Sequence, residues 1–216
     1  MSFKTLLNLI LVDTQQNLEQ KLSHWDQHIS GNHQDYKAYV QRGMVRFQLA
    51  KIDDSIADFD HAEELEPKIT PYLWQRGLSY YYAARYQEGA KQFKIDLTVN
   101  RHDAEETIWQ YLCLAKYLGV AEAQRAIAFS QNDSRLIMCQ ISSFYAGDCT
   151  LEELLAAANQ QGKRGNFYSH LYLGLYYEVA GDLEQGRNYI AKAAKDFAIA
   201  DYMWYLACVH RQLRNW

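Results

Sequence analysis

The chain has 216 residues and a formal net charge of −4, from 22 lysine and arginine residues against 26 aspartate and glutamate residues. Hydrophobic residues make up 49% of the sequence, which contains only two prolines and four cysteines. This composition excludes disordered, collagen-like and disulfide-stapled chains. Because there is no excess of basic residues to hold phosphates, we expect no nucleic-acid partner.

The first predicted element is an amphipathic helix from residue 3 to residue 29, within a docking or self-association segment 1–33. The longest apolar run, Leu6 to Val12, contains Asn8 and is far shorter than the roughly 20 residues of a membrane span, so we expect no integral membrane segment. The apolar residues that recur on one helix face are Phe3, Leu7, Ile10, Leu11, Leu18, Leu22 and Trp25. This face is expected to lie either on the rest of its own chain or on a second copy in a homodimer.

Two sequence repeats follow, at about 36–69 and 70–103. Each matched pair of residues is separated by 34 positions. The pairs are Gln41-Arg42-Gly43 with Gln75-Arg76-Gly77, Ala50 with Ala84, and Phe59 with Phe93. Each repeat is predicted to be a pair of helices that cross closely at its glycine, since glycine lacks a Cβ.

Proline and threonine predict where the helices of these repeats begin and end. Pro67 is expected to end the second helix of the first repeat, because it has no N–H to donate and restricts the residue before it. Thr70 and Pro71 are expected to start the next helix, as N-cap and first helical residue. Arg42 and Arg76 are expected to have a structural role, by pairing with acidic neighbours or by extending out of the interface.

The pattern is less regular over residues 104–165, where two helix pairs are predicted. They cover 105–118 with 121–130, and 134–146 with 150–160. Thr150 and Glu153 form a predicted capping box. The glycine-rich and basic segment 160–166 is expected to be an extended loop. A third regular repeat is predicted at about 167–200 and a closing helix at 199–215.

A period of 34 residues in a helical chain resembles the tetratricopeptide repeat (TPR). The order of regular and irregular pairs is similar to the bacterial NlpI-like TPR adaptors and to repeat proteins of cyanobacteria and plastids. The residues that carry the resemblance are Tyr39, Gly43, Phe59, Ala62, Pro67, Leu73, Gly77, Tyr80 and Phe93, with Leu173, Gly174 and Tyr177 later in the chain. The resemblance implies an all-α, right-handed superhelical solenoid whose first helices line a concave, protein-binding groove. The lipid-attachment cysteine of the bacterial adaptors has no counterpart here, so membrane anchoring is not implied.

The inward-facing positions of the family predict an apolar, aromatic groove in this chain. Its residues are Lys37, Val40, Gln41, Met44, Trp74, Gln75, Leu78, Tyr81, Tyr82, Ile108, Trp109 and Leu112. The basic clamp with which some TPR proteins grip a terminal carboxylate is absent. We therefore expect apolar anchors, Trp74 and Trp109 above all, to hold a peptide or helix of a client protein. The alternative for each ring is a place in the core.

No catalytic motif occurs in the sequence, and neither an enzymatic activity nor a cofactor is predicted. A metal site at His24, His28 and His33 lacks further ligands at suitable spacing. The acidic residues that crowd residues 53–66 are either a solvated face or a surface for a basic partner. An enzyme would instead need a buried cluster of carboxylates or histidines in a closed pocket.

These observations predict a non-catalytic TPR scaffold or adaptor that supports the assembly, maturation or turnover of a protein complex. The alternative is a structural module that dimerises through its N-terminal helix. The scattered cysteines, with no CxxC pair, favour a reducing compartment. We expect the cytoplasm or an equivalent such as the plastid stroma, and a membrane-associated client complex is compatible with this expectation.

Overall fold

The computed structural model describes the backbone of residues 3–216 and the side chains of residues 14–216. Over these residues every regular element is a helix, which confirms the all-α prediction. The α-helices are α1 (Phe3–Gly31), α2 (Tyr36–Gln48), α3 (Ile52–Leu65), α4 (Trp74–Tyr82), α5 (Tyr86–Asp96), α6 (Ala104–Leu118), α7 (Val120–Ala126), α8 (Leu136–Ala146), α9 (Leu151–Gln160), α10 (Gly162–Ala180), α11 (Leu183–Lys195) and α12 (Tyr202–Arg214). A 3-10 helix (Pro67–Tyr72) lies between α3 and α4.

The predicted close helix crossings occur at the glycines of the repeats. Helices α2 and α3 pack against each other, as do α4 and α5. A Cβ added to Gly77 would lie 2.7 Å from the ring of Phe93, and one added to Gly43 would lie 3.1 Å from the ring of Phe59. Each glycine therefore makes room for the aromatic ring of its partner helix.

The turns inside the two repeats also match. Ala50 follows α2 and Ala84 follows α4, and both have a left-handed backbone with φ of 58°. This conformation is unusual for a residue with a Cβ. Its recurrence at matched positions shows that the sequence repeat is also a repeat of backbone geometry.

Proline has the predicted effect at the end of α3, but the start of α4 differs from the prediction. α3 ends at Leu65, before Pro67, as expected. Thr70 is not an N-cap: its hydroxyl donates to Glu63 Oε1 at 2.6 Å, and α4 begins only at Trp74. Pro71 lies inside the 3-10 helix, and Pro67 is the first residue of this helix. A 3-10 helix is short because its hydrogen-bond geometry is poor.

The predicted loop at residues 160–166 is wrong, because most of this segment belongs to α10. α9 ends at Gln160 and α10 starts at Gly162, whose φ is +66°. A Cβ at Gly165 would lie 2.4 Å from the carbonyl oxygen of Ala158. The glycines thus permit a sharp turn and a close approach of two helices, with no extended loop. The capping box of Thr150 and Glu153 at the start of α9 is confirmed.

The described part of the N-terminal helix lies on its own chain. α1 packs against α2, with Leu18 and Ile29 buried and Trp25 half-buried. Arg42 of α2 donates to Asp26 of α1 at 2.9 Å. The side chains of Phe3, Leu7, Ile10 and Leu11 lie outside the described residues, so self-association through them stays a prediction.

The C-terminal helices pack against the first helices of the repeats. α10 contacts α6, and α12 contacts α2, although these elements are far apart in sequence. The side-chain contacts that join them are Trp109 Nε1 to Tyr172 OH (3.0 Å), Tyr81 OH to Glu178 (2.9 Å), Tyr82 OH with His210 Nδ1 (3.0 Å), and the Trp74 ring against the Tyr202 ring (centroids 5.4 Å apart). The inner surface of the early helices is therefore covered by the chain itself.

Candidate functional site

Most of the residues predicted to line an open groove are buried inside the chain. The buried ones are Gln75, Leu78, Tyr81, Tyr82, Ile108, Trp109 and Leu112, each at most 9% exposed. Val40, Met44 and Trp74 are half-buried, and only Lys37 and Gln41 are exposed. The predicted groove is wrong for the seven buried residues, because α10 and α12 fill the space that an open superhelix would leave.

The arginines at matched positions of the two repeats serve the fold, as predicted. Arg42 donates from Nη2 to the buried Asp58 at 2.7 Å. Arg76 is buried and donates to Glu63 at 2.7 Å and to Asp60 at 3.0 Å. Some of the acidic residues of α3 therefore form ion pairs with arginines of the same chain. These residues are not a free surface for a basic partner.

The described residues contain neither a group of metal-binding side chains nor a helix that could span a membrane. His28 Nε2 lies 2.9 Å from Asp35 Oδ2, next to the start of α2. No group of three metal-binding side chains occurs among residues 14–216. None of the helices over residues 3–216 has the length and apolarity that a membrane span requires.

One cavity combines acidic groups with aromatic walls, and we call it the acidic chamber. It has a volume of about 380 Å³, near the lower end of the range for small-ligand sites. It is lined by Trp74, Phe93, Asn100, Asp103, Glu105, Glu106, Trp109, Arg135, Tyr168, Asp201, Tyr202 and Met203. These residues come from α4, α5, α6, α10 and α12 and from the segments before α6, α8 and α12. The packing of the C-terminal helices against the early ones thus creates the chamber.

Glu106 is the most isolated carboxylate of the chamber. It is 7% exposed, and its Oε1 accepts a hydrogen bond of 2.9 Å from the Asn100 amide. Its Oε2 is buried and has no hydrogen-bond partner among residues 14–216. Burial raises the pKa of Glu106 to about 8, and the nearby Asp103 and Asp96 add to the shift.

Glu105, the neighbour of Glu106 on α6, is fully engaged by other side chains. Tyr172 OH donates to its Oε1 at 2.5 Å, and Arg135 Nη1 donates to its Oε2 at 2.6 Å. Burial raises the pKa of Glu105 despite the opposing effect of Arg135. The two adjacent acids therefore differ: Glu105 is held in a network, and Glu106 keeps a free oxygen.

Arg135 is shared among three carboxylates on one side of the chamber. In addition to Glu105 it donates to Asp103 at 3.0 Å and to Asp133 at 2.7 Å. Burial opposes ionisation of Asp133, but the hydrogen bonds from Arg135 and from the Ala104 N–H, together with the charge of Arg135, lower the pKa of this acid. The guanidinium of Arg135 therefore pairs with Glu105, Asp103 and Asp133 and does not neutralise Glu106.

The opposite side of the chamber is built by the start of α12 and by α10. Asp201 caps α12 by accepting from the Met203 N–H at 3.0 Å, and it accepts from Tyr168 OH at 3.1 Å. Arg164 Nη2 lies 3.0 Å from Asp201, so this carboxylate is also paired. Tyr202, the first residue of α12, has a buried hydroxyl without a hydrogen-bond partner in the described part of the chain.

Sequence reasoning missed most of this site. Glu105 and Glu106 were visible as acidic residues at a helix start, where they are common because they complement the helix dipole. Arg135, Tyr168 and Asp201 carried no motif. Asp133 lies just before the predicted helix 134–146, and Asp201 lies near the start of the predicted helix 199–215, a position that is equally typical of a simple cap.

Comparison with known proteins gives no family for the chain. No protein-family model matches it, and none of the curated proteins matches it.

The raised pKa values near the chamber predict that stability falls as the pH rises from 6.5 to 8. Glu106 has a pKa of about 8 and the fully buried Asp96 one of about 7, both raised above the ordinary values of these side chains by burial. The native state therefore holds protons that the unfolded chain has released, and each such group costs about 1.4 kcal/mol of stability per pH unit up to its native pKa. Urea denaturation at several pH values should show a loss of about 2 kcal/mol or more over this range.

A matched pair of variants isolates the contribution of Glu106. Glu106→Gln should flatten the pH dependence, whereas Glu184→Gln, on the exposed first turn of α11, should leave it unchanged. The measurements stay above pH 6.5 because burial lowers the pKa of His210 to about 4. Below pH 6.5 the unfolded chain binds a proton at this histidine that the native state does not, which lowers stability for a separate reason. An unaltered slope in the Glu106→Gln variant would contradict the prediction.

Proposed function

We propose that the protein is a non-catalytic, TPR-like helical-repeat scaffold that binds a segment of a client protein at the acidic chamber. The hairpins with matched glycine crossings and matched Ala50 and Ala84 turns support a superhelical TPR arrangement for residues 36–103. Client binding supports the assembly, maturation or turnover of a complex, in the cytoplasm or an equivalent compartment such as the plastid stroma. The segment of the client enters at the chamber because the predicted groove is filled.

The observation that carries this proposal is that Glu106, which lines the chamber, has a buried carboxylate oxygen with no hydrogen-bond partner among the described residues. Burying an unpaired carboxylate oxygen costs stability, so such a group calls for an explanation, and a donor from a bound partner supplies one. Asn100 is exposed, lines the chamber and donates to Glu106, so it lies at the opening. A side chain of a client that enters past Asn100 reaches Glu106.

Affinity capture combined with cross-linking tests this function. We expect a photo-reactive phenylalanine analogue at Asn100 to cross-link to a client polypeptide, and the same analogue at Leu183, which is 57% exposed on α11, to give no such product. The Glu106→Gln variant should lose the client, while Glu184→Gln should retain it. The same clients captured by both variants, with both folded, would exclude the chamber as the binding site.

A catalytic role is the second candidate, because two adjacent carboxyl groups with raised pKa values lie in a pocket. Such shifts are common at general acids and bases. Both oxygens of Glu105 are already hydrogen-bonded, so only Glu106 is free to exchange a proton with a substrate. A small molecule that the Glu106→Gln variant binds but does not convert, while the wild type converts it, would establish this role in place of the scaffold.

A further inference from the structure

The acidic chamber has an excess of carboxylates over cations. Asp103, Glu105, Glu106 and Asp201 line it, and the lining cation is Arg135. Arg135 already serves Asp103 and Glu105 from within the chain. Since Glu106 contacts no cation among the described residues, its carboxylate is uncompensated once it ionises, and the chamber then offers a negative site to a visiting group.

Two of the residues that line the chamber each carry a buried oxygen that has no hydrogen-bond partner within residues 14–216. These oxygens are Oε2 of Glu106, on α6, and the hydroxyl of Tyr202, on α12. Groups of this kind are normally satisfied by a hydrogen bond, so a donor from outside the chain would complete the site. A protonated amine is suited to this task, because it brings both hydrogen-bond donors and a positive charge.

The walls favour a cation on an apolar stem. Trp74 and Tyr202 meet edge to face with centroids 5.4 Å apart, and the buried Trp109 and Phe93 lie stacked with centroids 6.2 Å apart. Aromatic faces attract cations and also accommodate methylene groups. The volume of about 380 Å³ suits one side chain rather than a helix.

The free acceptors of the chamber also distinguish a lysine side chain from an arginine side chain as its ligand. Arginine presents a planar fork that matches a carboxylate with both oxygens available. Glu106 has one oxygen occupied by Asn100 and only the other free. A compact ammonium with three rotatable donors fits one carboxylate oxygen and one hydroxyl better than the fork does.

We infer that the acidic chamber binds the ε-ammonium of a lysine side chain, held by Glu106 and Tyr202 between the aromatic walls. The inference rests on the proposed function, since the lysine belongs to the client segment. It specifies which residue of the client the chamber recognises.

Calorimetry with small probes tests the inference without a client. The probes are N-acetyl-lysine methylamide, its norleucine isostere without the charge, and the arginine analogue. We expect the lysine probe to bind roughly tenfold more tightly than the other two, which is the size of one charge-assisted hydrogen bond. Glu106→Gln should remove this preference and Glu184→Gln should keep it. Equal binding of the lysine and norleucine probes, tighter binding of the arginine probe, or no binding of any probe to folded protein overturns the inference.

The pH dependence of probe binding gives a second readout. Binding of the ammonium requires ionised Glu106, so affinity should rise between pH 6.5 and 8 and the Glu106→Gln variant should lose this rise. The charged or titratable groups that surround Glu106 are Asp96 on α5, Asp103 and Glu105 at the start of α6, Arg135 before α8, Tyr168 on α10, and Asp201 and Tyr202 at the start of α12. An affinity that is flat over this range overturns the role of Glu106.

The two proposals fail in different ways. If the lysine probe binds as expected and no client is cross-linked at Asn100, the lysine site is correct and the scaffold function is wrong. If a client is cross-linked and its capture does not change when its lysines are replaced, the scaffold function stands and the lysine site is wrong.

Discussion

Replacement of Trp109 by alanine should lower the free energy of unfolding by about 3–5 kcal/mol, the range for deleting a large aromatic side chain from a core. Trp109 is 2% exposed. Its ring meets Tyr81 edge to face with centroids 5.3 Å apart, and its Nε1 donates to Tyr172 OH at 3.0 Å. The variant therefore opens a cavity and removes a hydrogen bond between α6 and α10. Urea denaturation followed by far-UV circular dichroism measures the loss.

Trp74→Ala is the matched control, because Trp74 is half-buried at the chamber wall. We expect it to cost less than half as much as Trp109→Ala, since part of its ring is already in contact with solvent. If Trp109 were an anchor on an open groove, both variants would change stability little and would differ only in client binding. That result would contradict the closed arrangement of the chain.

The sequence was sufficient to predict the local hairpins. The spacing of 34 residues, the glycines at helix crossings and the proline after α3 each act through contacts within one helix pair. Gly77 and Phe93 show this directly, because the ring fills the space where a Cβ would lie. Such short-range requirements leave a clear pattern in the chain.

The closure of the chain could not be predicted in the same way. Tyr82 contacts His210, and Tyr81 contacts Glu178, across long stretches of sequence. Whether a superhelix stays open or is filled by its last helices depends on small rotations that accumulate from one helix pair to the next. No single residue determines the accumulated rotation. Tyr81 and Tyr82 were therefore predicted to line the groove, although they are buried in the core.

The chamber was hidden for a related reason. Its polar residues come from separate parts of the chain, and each has an ordinary local explanation. Asp201 and Asp103 are helix caps, and Glu105 and Glu106 lie in the first turn of α6. Only the three-dimensional arrangement shows that Glu106 has a free oxygen in a cavity.

Replacement of Glu178 by alanine should cost about 3 kcal/mol, because it leaves buried partners unpaired. Glu178 is 4% exposed on α10. It accepts from Tyr81 OH at 2.9 Å and from Arg214 Nε at 2.6 Å, and Lys116 Nζ lies 3.6 Å away. One carboxylate thus joins α4, α6, α10 and α12. Burial opposes its ionisation, yet His210, Arg214 and Lys116 lower its pKa, so it is charged at neutral pH.

The exposed pair of Arg85 and Glu88 provides the control for this variant. Glu88→Ala removes a carboxylate from an arginine at the surface and should cost at most about 1 kcal/mol. The Glu178→Ala variant should also speed hydrogen exchange of the α12 amides, since Arg214 of α12 loses its acceptor. Equal costs for the two variants, with unchanged exchange in α12, would show that hydrophobic packing alone closes the chain. The difference between them therefore measures how much this buried carboxylate contributes to holding α12 over the early helices.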